Sequence, residues 1–66
     1  MPVITIAMHP VSSDEKKSLI TALTTSAAQA TRIPESAFIV LVNELSAEAI
    51  GLGGRTLKEV MAAHPA

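Results

Sequence analysis

The stretch "AFIVLVNE" (Ala37–Glu44) carries the strongest strand signal in the chain, and its reading decides the fold. It is apolar at both parities rather than alternating, as in a strand covered on both faces, which suits a parallel pair. A second stretch of this kind lies upstream: "VITIAM" (Val3–Met8), β-branched and apolar with Thr5 as its polar member, ended by Pro10, which cannot donate to a ladder. Between them, "SSDEKKSLITALTTSAAQATR" changes the period. Ser12 and Glu15 have capping-box spacing, and Asp14 and Glu15 suit the positive end of a helix dipole. Leu19, Ile20, Leu23, Ala27 and Ala30 fall near one helical face, with Lys16, Lys17, Thr24, Thr25 and Gln29 largely off it. The spacing predicts a helix from about Ser13 to about Thr31, then a turn at Ile33-Pro34-Glu35-Ser36, because the residue before proline is pushed from helical geometry.

Strand, helix and parallel strand make a βαβ unit whose crossover is expected to be right-handed. The fold class is therefore α/β: a small βαβ protomer, residues 1–66 forming one domain. Beyond it, Gly51, Gly53 and Gly54 mark a tight turn or small hairpin. Thr56 and Glu59 repeat the capping-box spacing, which predicts a short helix from about Leu57 to Ala63, and His64-Pro65-Ala66 is expected to fray.

Composition sharpens the picture. Sixty-six residues allow only a small core, yet 48% of them are hydrophobic and the mean hydropathy is +0.42. There is no cysteine, and the two histidines, His9 and His64, are far apart, so neither a disulfide nor a metal staples the chain. One helix covers one face of a two-stranded sheet; the other face calls for further copies. An obligate homo-oligomer is the expectation. The net charge of −1 leaves no electrostatic footprint for nucleic acid or an anionic membrane. The longest apolar run, Ala37–Val42, is too short to span a bilayer, and no cationic segment precedes a long apolar one, so the expected compartment is the cytoplasm.

A second-position proline opening a strand, "SDEKK" starting a helix, an apolar strand ending in "NE", and "GLGG" soon after resemble the 4-oxalocrotonate tautomerase family over nearly the whole chain. The resemblance implies dimers sharing a four-stranded sheet, assembled as a hexamer (a trimer of dimers), and no cofactor. It also implies that Pro2, freed by removal of Met1, is the general base that shuttles a proton in a keto–enol pair. With Met1 in place, the Pro2 nitrogen is a tertiary amide without basicity; a small second residue normally permits removal.

The chemistry of Pro2 can be argued separately. An α-amino group titrates near 7.7–8.0, so roughly a tenth to a fifth is free base at neutral pH. Apolar surroundings such as Val3, Ile4, Ile39 and Ile50 disfavour the ammonium and bring the value toward the working pH, where an acid–base catalyst is most effective. A strand-initiating proline without chemistry is the plainer account of Pro2 taken alone; the full pattern favours catalysis.

The resemblance also marks departures. Where the founding enzyme of the family grips a dicarboxylate with two arginines and closes the pocket with a phenylalanine, this chain has Ile39, Ser12 and Ile50. Each hydrogen bond lost to a charged group costs about 10- to 150-fold. The expected small-molecule substrate is accordingly an uncharged or aromatic enol, or a monocarboxylate, rather than 2-hydroxymuconate. Arg55, directly after Gly53-Gly54, is the remaining candidate for a carboxylate, although a solvated arginine near a short helix is the better account of it. His9 closes the first strand, near pocket backbone by resemblance, and imidazole titrates in a useful range; a lone strand-end histidine is more often a surface residue. Arg32 suits a helix C-terminus without any function. The three glycines lack a phosphate-loop context, and Glu44 and Glu48 need no catalytic explanation.

Two functions compete. One is an isomerase catalysing keto–enol tautomerisation through Pro2. The other is a catalytically silent oligomeric binding protein that kept the scaffold after losing the arginines. Hydration or dehalogenation of an activated alkene ranks below both, since no water-activating carboxylate lies beside Pro2 in the sequence.

Overall fold

The computed structural model describes residues 1–63; the expected fraying of His64-Pro65-Ala66 lies outside the described residues. Six elements follow one another: β1 (Val3–Met8), α1 (Ser13–Thr31), β2 (Ile39–Glu44), β3 (Gly51–Leu52), β4 (Arg55–Thr56) and α2 (Leu57–Ala63). β1 and β2 pair in parallel, Val3 opposite Ile39 and Met8 opposite Glu44, with α1 as the connection. β3 and β4 form a separate antiparallel hairpin. Among the described residues no helix is long and apolar enough to cross a membrane.

Local chemistry accounts for the helix bounds. The Ser12 hydroxyl accepts from Glu15 N–H at 3.1 Å, and the Glu15 carboxylate accepts from Ser12 N–H at 3.3 Å, a complete capping box. Thr56 and Glu59 repeat it at α2: Glu59 N–H donates to Thr56 Oγ1 at 3.2 Å and Thr56 N–H to Glu59 Oε1 at 3.1 Å. α1 ends at Arg32, which takes the left-handed conformation (φ 62°, ψ 21°) while its N–H donates to the Ala28 carbonyl. That position favours glycine or asparagine, so an arginine there gives no sequence signal of the cap. The hairpin turns at Gly53 and Gly54, both at positive φ (62° and 85°), as a two-residue turn matched to strand twist requires.

Two expectations are corrected and one is met. Ala37 does not begin β2. It closes a 3-10 turn, Glu35–Ala37, made when Ala37 N–H reaches the Pro34 carbonyl, and the strand starts at Ile39. Within the protomer the strands are covered on one face only, as expected of a single helix. Ile4, Ile6, Met8, Val40 and Val42 are half-buried, whereas Val3, Thr5, Ala7, Ile39, Leu41 and Asn43 are exposed. The single helix covers one side and leaves the other open. Finally, the covered face of α1 is rotated from the expected one: Ile20 and Ala30 are exposed, and Thr24 and Thr25 are half-buried. Their hydroxyls are satisfied there, Thr24 by the Ile20 carbonyl and Thr25 by Glu35 Oε1, each at 2.8 Å, which ties the helix to the chain returning toward β2.

No described residue is fully buried. The radius of gyration is 14.9 Å, against about 11 Å for a compact chain of this length. The excess comes from the C-terminal arm, in which β3, β4 and α2 pack mainly on one another. Its base is closed by Leu57 N–H to the Ile50 carbonyl at 2.7 Å and Lys58 N–H to the Ala47 carbonyl at 3.2 Å.

Candidate active site

Pro2 stands at the head of β1. Its carbonyl accepts from Ile39 N–H at 3.0 Å, so the parallel ladder begins one residue ahead of Val3 and fixes the backbone on which the ring sits. The residue is half-buried. By strand parity it belongs with Ile4 and Ile6 on the helix side, while Ile39 and its partner Val3 leave on the open face, 38% and 55% exposed. All of these neighbours are apolar. Met1 ahead of them is 89% exposed.

The other sequence candidates lie elsewhere in the protomer. His9 and Ser12 follow the far end of β1, about 20 Å away along a strand that rises about 3.3 Å per residue. His9 is exposed, with Nδ1 3.1 Å from the Pro10 carbonyl oxygen. Ser12 caps α1, as described above. Ile50 is half-buried at the base of the arm, and Arg55 sits on β4 with its side chain 55% exposed and Nε 3.9 Å from Glu59 Oε2. A single protomer thus joins Pro2 and Ile39 by one backbone hydrogen bond, with their side chains on opposite faces of the sheet, and leaves His9 with Ser12, and Ile50 with Arg55, at two separate places.

Electrostatics concentrate at the His9–Ser12 end. The Glu44 carboxylate, closing β2, accepts from Val11 N–H at 3.0 Å and pairs with Lys16 on the first turn of α1. The Lys16 hydrogen bond, and after it the Val11 N–H, hold the Glu44 carboxyl below its ordinary value. Hydrogen bonding from Ser12, through side chain and then backbone, does the same for Glu15, with a smaller contribution from His9. Glu48 pairs instead with Lys58 at 3.3 Å, so Glu44 and Glu48 form no catalytic carboxylate pair. Sequence reasoning assigned Glu44 no role and did not pair it with Lys16; the available signal was a carboxylate terminating an otherwise apolar strand.

An open groove of about 470 Å³ lies at the C-terminal end of α1, bordered by Thr25, Gln29, Arg32 and Glu35 among others. None of the six candidate residues lines it. Among the described residues no cluster of three or more His, Cys, Asp or Glu side chains could hold a metal ion.

Comparison with known proteins identifies the fold. Residues 2–59 match the family model described as "Tautomerase enzyme". TomN, a 4-oxalocrotonate tautomerase homologue in the tomaymycin biosynthetic pathway, is 32% identical, with a TM-score of 0.88 over 98% of this chain and 100% of that one. The apo structure of an unfused 4-OT is 28% identical, with a TM-score of 0.86 over 89% and 98% of the two chains. A heterohexameric 4-oxalocrotonate tautomerase from Chloroflexus aurantiacus J-10-fl is 22% identical, with a TM-score of 0.80 over 91% and 97%, a likeness of fold. No curated protein sequence matches the chain significantly.

Proposed function

The chain belongs to the tautomerase family, and from that premise we propose that it is an isomerase catalysing keto–enol tautomerisation of a small 2-oxo/enol compound through Pro2. The observation that carries the reading is the placement of Pro2: half-buried at the head of β1, beside the apolar residues Val3 and Ile4, with its backbone fixed by the Ile39 hydrogen bond. Removal of the exposed Met1 frees a secondary amine. In that setting the ammonium form is disfavoured, and the neutral amine accepts the hydroxyl proton of the enol while the pyrrolidinium delivers a proton to carbon. No charge changes hands overall.

Completion of the site calls for other copies of the chain. The exposed apolar face of the β1–β2 sheet and the projecting arm, with Leu52 and Met61 more than half exposed, are surfaces for assembly into a homo-oligomer. The heterohexameric organisation of the Chloroflexus relative makes a hexamer the favoured form. In such an assembly Ser12, His9, Ile50 and Arg55 of neighbouring copies can approach Pro2, which their positions within one protomer prevent. With Ile39 apolar and Ser12 engaged in the helix cap, the reading favours an uncharged or aromatic enol, or a monocarboxylate.

The test is ketonisation of phenylenolpyruvate by protein whose loss of Met1 is verified by intact mass. Pro2→Ala is expected to lower kcat by about 10²–10⁴-fold, the range of a lost general acid–base group. Equal rates for the two proteins refute the role of Pro2 and leave the silent binding protein as the better reading.

A further inference from the structure

The Glu44 side chain joins three parts of the protomer: the end of β2, the β1–α1 connection and the first turn of α1. It closes β2, opposite Met8 in the register, and its backbone neighbour Leu45 donates to the Met8 carbonyl at 2.8 Å. Its Oε2 accepts from Val11 N–H at 3.0 Å, in the middle of the β1–α1 connection, and its Oε1 pairs with Lys16 on α1. Val11 N–H lies ahead of the helix, so neither the strand ladder nor the helix supplies it with an acceptor; the carboxylate does. The connection itself consists of His9, Pro10, Val11 and Ser12. Two of the proposed substrate contacts therefore flank the one backbone group that Glu44 holds.

We infer that Glu44 is a positioning residue for the substrate site: by fixing Val11 N–H it sets where His9 and Ser12 present themselves to the proline of a neighbouring copy. The inference rests on the tautomerase reading above. Its chemistry is that of a charged acceptor on a backbone donor, among the stronger neutral–ionic hydrogen bonds, with Lys16 keeping the acceptor ionised. Among the described residues the charged side chain paired with Glu44 is Lys16; Glu15, in the first turn of α1, and His9, on the connection, are the other titratable groups at this end. Glu44 does not touch the reacting atoms, since it sits at the opposite end of β1 from Pro2 within its own protomer.

Three variants in the assembled, Met1-processed protein test this: Glu44→Ala removes both contacts, Glu44→Gln keeps an acceptor for Val11, and Lys16→Met removes only the ion pair. Amide exchange at Val11 is read by NMR, and kcat and KM for phenylenolpyruvate are read across pH. Glu44→Ala is expected to speed Val11 exchange at least about tenfold and to raise KM several-fold, with the pH dependence of kcat set by Pro2 unmoved. Glu44→Gln is expected to restore most of both, and Lys16→Met to change KM by less than about twofold. Faster Val11 exchange with an unchanged KM overturns the positioning role, as does unchanged exchange in Glu44→Ala. A shift in the kcat pH profile would assign Glu44 to the chemistry instead and also overturn it. If wild-type protein turns over and Pro2→Ala does not, these failures belong to Glu44 alone; absence of wild-type turnover sinks the tautomerase reading and this inference with it.

Discussion

Leu41 offers the sharpest test of why this chain needs company. It lies mid-strand in β2, opposite Thr5, on the face that α1 does not cover, and it is 47% exposed in the protomer. Burying a whole leucine side chain is worth about 2 kcal/mol. Nearly half of it still faces water, so about 1 kcal/mol per copy becomes available only when another chain covers the sheet. Across a two-fold contact the residue appears twice, which makes about 2 kcal/mol. At about 1.4 kcal/mol per factor of ten, truncation by Leu41→Ala should weaken dimerisation about 30-fold. Leu41→Lys should go further, because it also places a charge in a contact that excludes water. Sedimentation velocity over a dilution series measures both, with the wild type expected to stay assembled where Leu41→Lys has fallen to single chains. Identical profiles for wild type and Leu41→Lys would show that this face is not the assembly surface.

Four further outcomes are expected. Ser12→Ala should lose about 1 kcal/mol in urea unfolding by removing the α1 cap, with Ser12→Asp near wild type; equal stability of all three would deny the cap its role. Gly54→Ala meets no atom within 4 Å yet needs φ near 85°, so its cost of about 1–2 kcal/mol is backbone strain alone. Because the arm packs mainly on itself, NMR should show the loss in β3 and β4 and spare the β1–β2 amides. Glu15 and Glu44 titrate below the ordinary 4.5 in the folded chain, so their stabilisation is complete above that pH and drains as pH falls through their lower folded values. The Tm should therefore hold from pH 8 to about 5 and decline below about 4.5, less steeply in a Glu15→Gln, Glu44→Gln double variant. Ile39→Arg should raise kcat/KM for a dicarboxylate enol, relative to an uncharged one, by about 10- to 150-fold, and an unchanged ratio would remove Ile39 from the substrate site.

The bounds of both helices and the glycine turn were legible in the sequence for one reason: each depends on chemistry within three or four residues. Ser12 with Glu15, and Thr56 with Glu59, satisfy each other's backbone donors wherever the rest of the chain goes. Gly53 and Gly54 likewise supply positive φ without help from other elements. The parallel pairing was legible too, because two apolar runs separated by a helical period have few other ways to bury themselves. The chain between α1 and β2 was less so. Arg32 adopts a conformation that its side chain does not announce, and the 3-10 turn after Pro34 takes Ala37 out of the strand.

The amino-acid sequence by itself determined the order and type of elements, the apolar excess that asks for other copies, and Pro2 as the candidate base at the head of β1. Only the tertiary structure decided which candidates share a place. Pro2 meets Ile39, and Glu44 meets Val11 across 33 positions of chain, because the register sets Val3 against Ile39 and Met8 against Glu44. A one-residue slip would turn β2 over and send Glu44 to the opposite face. Caps and turns are settled by neighbours along the chain; the meeting of distant residues is settled by register and by which sheet face the helix covers, and those are properties of the packed molecule.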